Sequence, residues 1–412
     1  MSPVRRNALL LAGGLVFQSG MIQLAVALGT VTIVTVTGIE GILGLGPAVF
    51  LVAGALAVGP AGRISDRVGR MPVIRFGFCL GIGGPLVTAL GCAATSGELV
   101  FLGLGLCGAA QTIVLLSRTA AAEMFPPARR ARGMSIVLFG VVSGAIWGPL
   151  VFGPMFAGRE LTPHDLVVPW LAAGLFTLAG LALSFGVRPD PKDISAAHFS
   201  MEPRTGRGSV ENDAAPIGDI LRRPGVATAM VGAVASFAVM VGVMNLAGYV
   251  AIGHHHHQGD VFTIISAHIV GMYGLVLITG DIVERIGRRR AIVIGLATMA
   301  ASNAALVWLD GIPGMSVSLF GLGLGWNLAY VAANTELVDL AAPDERGKLI
   351  GFTDLVSSFI AAALALAGGV VYSGGGVMPL AASAAALAAI PAAWVLLLPS
   401  GPGGRLVRPF SV

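Results

Sequence analysis

Between its clusters of charge this chain of 412 residues is a succession of apolar runs of about 20 residues or more, and nothing else limits its folding so severely. A run of that length crosses the ~30 Å hydrocarbon layer of a bilayer as an α-helix. Lipid offers the backbone no hydrogen-bonding partner, so each run must pair its own N–H and C=O groups, and a helix does this within one segment. The runs and the charged breaks between them predict helices near 8–36, 42–61, 72–94, 99–120, 134–157, 167–187, 227–252, 262–280, 291–309, 314–337, 350–372 and 378–398. Only 11% of the residues are charged, against ~25% in soluble chains, and the mean hydropathy is +0.86. The 59 glycines fit the same class, because small residues let membrane helices approach closely.

A net charge of +4 and a pI near 9.3 do not mark a nucleic-acid partner here, since the basic residues are scattered in short loops between spans. They set orientation instead. With a cytoplasmic N-terminus, all of the 25 Lys and Arg residues except Arg159 fall in cytoplasmic loops, tails or helix ends. The outer loops carry Glu40, Glu98, Glu160, Asp165, Asp260 and Asp310. This places the protein in the inner (plasma) membrane with both termini cytoplasmic. Cys79, Cys92 and Cys107 lie in or near apolar runs without the spacing of a zinc site or a disulfide framework. The first run reaches about Val36 with no clear cleavage site near its end, so it reads as an uncleaved span.

The charged stretch Gly62-Arg63-Ile64-Ser65-Asp66-Arg67-Val68-Gly69-Arg70 returns as Gly280-Asp281-Ile282-Val283-Glu284-Arg285-Ile286-Gly287-Arg288, with the spacing G-x3-[D/E]-R-x-G-R kept. A second landmark repeats at nearly the same offset. Glu123 stands seven residues before Arg130, and Asp339 seven before Arg346, each pair with a proline inside it (Pro126, Pro343) and a glycine soon after (Gly133, Gly347). One six-helix unit is therefore used twice. The boundaries expected are 1–187 for the first bundle, 188–225 for a polar linker too short for a domain, 226–400 for the second bundle and 401–412 for a cytoplasmic tail.

This pattern of two parallel six-helix repeats, with the charged motif between helices 2 and 3, resembles the major facilitator superfamily over the whole chain. The resemblance implies an all-α fold of twelve transmembrane helices in two six-helix bundles. It also implies a secondary transporter, not an enzyme, working by alternating access as a monomer. Its partners are then a small-molecule substrate, the lipid bilayer and protons as the family's coupling ion, with no cofactor and no nucleic acid. In that family the loop motif locks one state from the cytoplasmic side, which assigns gating to Gly62, Asp66, Arg67, Gly69, Arg70, Gly280, Glu284, Arg285, Gly287 and Arg288. The physics agrees: glycine permits a tight turn, and a carboxylate accepts charge-assisted bonds from an arginine or a helix N-terminus. The competing reading is that the arginines only set topology, and it suits Arg75, Arg289 and Arg290 best. The longer Glu284 in place of aspartate is expected to weaken the second lock. Glu123 with Arg130 and Asp339 with Arg346 resemble the family's charge relay and share the gating role.

Helix 5 reads Gly140-x3-Gly144-x3-Gly148-Pro149-Leu150-Val151-Phe152-Gly153-Pro154, which looks like a partial copy of the glycine-proline motif of drug/proton antiporters. Ordinary close packing along a glycine face explains it equally well. Helix 4 departs from many proton-coupled members, with Phe101-Leu102-Gly103-Leu104 where an arginine is common. Arg118 lies nearer the cytoplasmic end, where Asp66 or Glu123 are expected partners.

Polar residues deep in spans are turned either to a cavity or to one another as interhelical glue. They are Gln18, Gln23, Gln111, Asn245, His268, Asn303, Trp326, Asn327, Asn334 and Asp354. Gln18, Gln111, Asn245, His268, Trp326 and Asn327 are substrate-binding candidates, Gln111 and Asn327 being equivalent by the repeat offset and both expected at the central cavity. Asp354 and His268 are proton-coupling candidates, Asp354 having a salt bridge to Arg346 or Lys348 as its alternative. His254, His255, His256 and His257 form an outer cluster whose imidazoles suit a transition metal, although a solvated or pH-responsive loop needs only the same residues. The function expected is export of a small organic or hydrophobic compound, coupled to protons. A metal or metal-chelate transporter is the alternative, as is a non-transporting sensor on the same scaffold.

Overall fold

The computed structural model of the chain describes residues 2–126, 130–156, 161–199, 215–253, 257–342 and 345–397. The main helices are α1 (Pro3–Thr37), α2 (Leu45–Val68), α3 (Arg70–Ala93), α4 (Gly97–Glu123), α5 (Ile136–Phe156) and α6 (Pro163–Ser184). They are followed by α7 (Val226–Gly253), α8 (Gln258–Tyr273 and Val276–Ile286), α9 (Arg288–Ala305), α10 (Ile312–Leu340), α11 (Arg346–Gly375) and α12 (Val377–Leu397). No strand occurs among the described residues. Ten of the helices are long and apolar enough to cross a membrane, and α8, bent by 57° at Gly274 and Leu275, adds one more if its two pieces count as one span. Helix α9 stands where another span was expected. Its 18 residues begin with Arg288, Arg289 and Arg290, so the expected span 291–309 starts one turn inside the helix and runs past its last residue, Ala305.

Local chemistry sets the ends. Ser2 accepts from the Arg5 N–H and Pro3 opens α1, which stops at Gly38 with φ 69°. The corners α2–α3 and α8–α9 turn on Gly69 (φ 105°) and Gly287 (φ 84°), the second glycine of each motif copy. Only glycine adopts such angles without strain, so the repeated spacing has a backbone reason.

Helix α5 departs from regular geometry: 3₁₀ turns at Gly140–Ser143 and Gly153–Phe156 flank a π turn at Gly148–Phe152. Pro149 supplies no N–H there. Its glycines lie along α1: a Cβ on Gly140 would stand 2.5 Å from the Ala12 oxygen, one on Gly144 3.3 Å from the Ser19 Cβ, and one on Gly148 2.5 Å from the Gln23 amide. The glycine stripe is a packing face.

Two described parts of the segment between the sixth and seventh helices are folded. A helix at Pro191–Phe199 packs on the last turns of α4 and on α3, Asn7 of α1 donates to the Pro189 carbonyl just before it at 3.0 Å, and a short helix at Ile217–Leu221 precedes α7. The tail 401–412 and Arg159 lie outside the described residues.

The first six helices touch the last six at the end opposite the charged motifs. Thr30 donates to the Asn245 carbonyl at 2.9 Å, Tyr249 bonds Glu40 at 3.1 Å, and Phe262 stacks with Phe152 and Phe156 at 5.8 Å. Backbones meet at Gly44, where a Cβ would fall 1.9 Å from the Ala365 oxygen, and at Gly248, where it would fall 2.3 Å from the Ala27 oxygen. At the motif end the same two helices, α2 and α11, present Gly59, Gly62, Gly347 and Gly351, and a Cβ on any of them meets nothing within 4 Å.

Candidate functional site

Two kinds of site stand out: ionic corners at the motif end and an aromatic group deeper between the halves. In the first corner Arg70 opens α3. Its guanidinium donates two parallel bonds to Glu123 at the end of α4, 2.8 and 2.7 Å, and further bonds to Asp66 at 2.8 Å and Ser65 at 3.1 Å. The Arg70 and Glu123 side chains are 12% and 15% exposed, whereas Asp66 is 64% exposed, so the strong part of the cluster is the bidentate pair. Asp190, from the segment after α6, accepts from the N–H groups of Arg70 (3.1 Å) and Met71 (2.8 Å) and so caps α3, whose own cap Gly69 has no side chain to do it. Lys192 completes the corner by donating to the last carbonyls of α2, Asp66 at 2.7 Å and Arg67 at 3.2 Å.

The second corner is thinner. Arg288 opens α9 and pairs with Asp339 near the end of α10, both side chains partly exposed. Glu284 and Arg285 are exposed and make no ion pair among the described residues. Helix α9 has no side-chain cap. Arg289 donates to the Val395 and Leu396 carbonyls at the end of α12, 2.9 and 3.2 Å. Nearby, Arg223 donates two bonds, 2.5 and 2.8 Å, to Glu345, which is buried and also accepts from the Ala342 N–H at 3.1 Å. The guanidinium bonded to it holds the Glu345 carboxyl below the usual carboxylate range.

The corners revise the expected charge partners. Both Glu123 oxygens go to Arg70, and the Arg130 side chain lies outside the described residues. Asp339 goes to Arg288, while Arg346 donates instead to the Val338 carbonyl at 2.9 Å, a cation turned onto the C-terminal turn of α10. Arg118 reaches neither Asp66 nor Glu123 and makes no hydrogen bond or ion pair among the described residues. Its charge acts instead on Asp354, Tyr330 and Tyr273 of the last six helices. Asp354 bonds neither Arg346 nor Lys348; it accepts from the Tyr330 hydroxyl at 3.1 Å, and Lys348 donates to the Ala215 carbonyl.

Around Tyr330 runs an aromatic ladder. Trp326 stacks on it at 5.2 Å with an interplanar angle of 17°, Phe237 lies 6.0 Å away on another side, and Tyr273 meets Trp326 edge-on at 5.9 Å. The Trp326 ring is 8% exposed and its Nε1–H is buried without a partner among the described residues.

Several candidates are buried between helices. Asn327 is buried and clamps helices together, donating to the Met272 carbonyl and accepting from Thr279, so it does not face the central space as expected. Asn245 donates to the Val241 carbonyl of its own helix at 2.8 Å. His268 is fully buried against α10, with Nδ1 at 2.8 Å from the Leu319 oxygen, rather than lining a pathway. The close approach there runs through Gly323, where a Cβ would fall 2.5 Å from the His268 oxygen. Gln18, Gln23 and Asn303 are buried with both amide atoms unpaired among the described residues, and Asn303 borders a cavity of about 20 Å³, room for one water. Gln111 is half-buried. His254, His255 and His256 lie outside the described residues; His257 is exposed, and its backbone N–H donates to Asp260 as the cap of α8. No group of three metal-ligating side chains occurs among the described residues.

Sequence reasoning missed Asp190, Lys192, the Arg223–Glu345 pair and the ladder. One signal was available for the ladder: the chain has 4 tyrosines, all in its second half, and two of them belong to it.

The sequence profile of the Major Facilitator Superfamily matches residues 9–366 and, again, 230–409. Among curated proteins the chain is similar to the uncharacterized MFS-type transporter YddS of Bacillus subtilis, 28% identical over 88% of this chain and 85% of that one. It is also similar to the riboflavin transporter RfnT of Brucella anthropi, 27% identical over 90% of each chain. Its fold matches the partially occluded inward-open conformation of the xylose transporter XylE from E. coli with a TM-score of 0.74, 13% identity and 98% of this chain covered, along with 100% of that one.

Proposed function

Because the chain belongs to the Major Facilitator Superfamily and is a multi-pass membrane transporter, we propose that it moves a small organic solute by alternating access, coupled to protons. The observation that carries this reading is the lopsided seam between α2 and α11: backbone against backbone at Gly44 and Ala365, open space at Gly59, Gly62, Gly347 and Gly351. Four glycines with nothing to pack against form two smooth faces ready to meet. Rocking the halves about the closed end would bring those faces together and open the other end. Residues 1–187 and 226–400 are the two moving bundles, and the ionic corners brace the motif end of each.

The motif end is the cytoplasmic one on this reading, with both termini there and the protein a monomer in the inner (plasma) membrane. The excess of Lys and Arg on that side supports it. Asp354 is the proton carrier, since it is a carboxylate within a span, in electrostatic reach of Arg118 from the other half, with a single neutral hydrogen-bond partner. Export rests on the resemblance of the α5 motif alone, and the riboflavin transporter among the relatives makes a heterocyclic solute the first to assay.

The test is flux in proteoliposomes with and without a pH gradient, alongside labelling of Gly62→Cys by an impermeant maleimide. Gradient-driven flux, lost in Asp354→Asn, is expected, together with labelling at Gly62→Cys that falls when solute is added. Flux indifferent to the gradient would remove proton coupling, and labelling unaffected by any transported solute would remove the rocking motion.

A further inference from the structure

Arg118 and the ladder of Phe237, Tyr273, Trp326 and Tyr330 belong to opposite halves, yet the arginine's charge reaches three residues of the other half without a bond to any of them. The two sides thus stand within Coulombic range, separated by a gap that no hydrogen bond or ion pair among the described residues bridges. Both sides of the gap have unfinished chemistry. Arg118 is a permanent cation with no hydrogen bond or ion pair among the described residues, in a setting where an uncompensated charge is costly. Trp326, nine-tenths buried, keeps its Nε1–H without an acceptor. The carboxylate at the gap, Asp354, is by contrast already served by Tyr330, so the group left to be answered is the cation.

We propose that the gap between Arg118 and the ladder is a binding site for a planar aromatic solute carrying an anionic group. The ring system lies against the edges of Trp326 and Tyr330, which are held parallel, and the anion takes the guanidinium of Arg118. The proposal rests on the transporter reading in taking the ligand to be cargo. The site itself is a matter of equilibrium binding. Arg118 comes from the first half and the ladder from the second, so an occupied site also bridges the two bundles.

The experiment is calorimetric titration of the full-length protein in detergent with 2-naphthoate, its uncharged counterpart 2-naphthamide, and the non-aromatic cyclohexanecarboxylate. The wild type is expected to bind 2-naphthoate about tenfold more tightly than either control, the scale of one charge-assisted hydrogen bond or one stacked ring. Arg118→Gln is expected to abolish the preference for acid over amide while sparing the preference for the aromatic ring; Trp326→Leu is expected to do the reverse. Equal binding of all three probes by the wild type overturns the proposal, even if a variant fails to fold, and so does an Arg118→Gln protein that keeps the acid preference. Binding preference without flux in proteoliposomes would remove the transport reading and leave the site. Flux of other solutes without the preference would do the opposite.

Discussion

Arg70 and Arg288 each open a helix directly after a glycine with positive φ, and each reaches a carboxylate near the end of the next helix, Glu123 or Asp339. Around Arg70 the repeat has been filled in. The pair is bidentate and largely buried, Asp66 and Ser65 add to it, Asp190 caps the helix and Lys192 covers the end of α2. Around Arg288 it has been left bare, with one partly exposed pair, no cap and an idle Glu284. Matching motifs thus give corners of unequal stiffness, because burial and the number of bonds, not the spacing, decide what an ion pair contributes.

The comparison can be broken most directly by Arg70→Ala, which leaves Glu123 largely buried and unpaired. We expect a loss of about 2 kcal/mol, seen as a fall of several degrees in melting temperature, and a tenfold or greater drop in flux. Equal damage from Arg288→Ala would show the two corners to be alike. Asp190→Ala comes next, at about 1 kcal/mol for a lost helix cap, measured by thermal melting. Arg288→Ala itself is expected to cost under about 1 kcal/mol, as exposed pairs do. Asp66→Asn removes only an exposed i,i+4 pair, about 0.3–0.5 kcal/mol of stability, so a larger loss of flux at unchanged melting temperature would sharpen the gating role. The smallest effect is one of pH. Bonding to Arg223 keeps the Glu345 carboxyl below its usual range, so this contact stabilises the fold above the unfolded carboxylate value of about 4.3, and the benefit is lost as pH falls through the lowered folded value. Melting of Arg223→Gln is expected to be less sensitive to acid over that window; an unchanged pH profile would exclude the contact as a contributor.

The helices and the doubling were legible in the sequence because lipid leaves the backbone one solution and the charged motif recurs with its turning glycine. The span expected at 291–309 overlaps α9 but is offset from it, because Arg288–Arg290 form the first turn of the helix and its last residue is Ala305. The partners in the corners were not legible. The spacing pairs Glu123 and Asp339 with arginines seven residues on, whereas helix packing also brings Arg70 of α3 and Arg288 of α9 to them, a contact that spacing along the chain does not reveal. The amides were not legible for a related reason: Asn327 and Asn245 each donate to a backbone carbonyl, which hydropathy cannot distinguish from facing a cavity. Asp190 was hidden in a polar stretch that composition alone reads as linker.

The crossing of α2 and α11 makes one methyl group a reporter of movement. At Gly44 or Gly369 an added methyl collides with main chain that is already in place, so alanine there should injure the protein as it stands. At Gly59, Gly62, Gly347 or Gly351 the same methyl enters vacant space and should pass unnoticed until the faces try to shut, when it acts as a wedge. An alanine scan along these two helices would therefore sort static joints from working ones without any spectroscopic label.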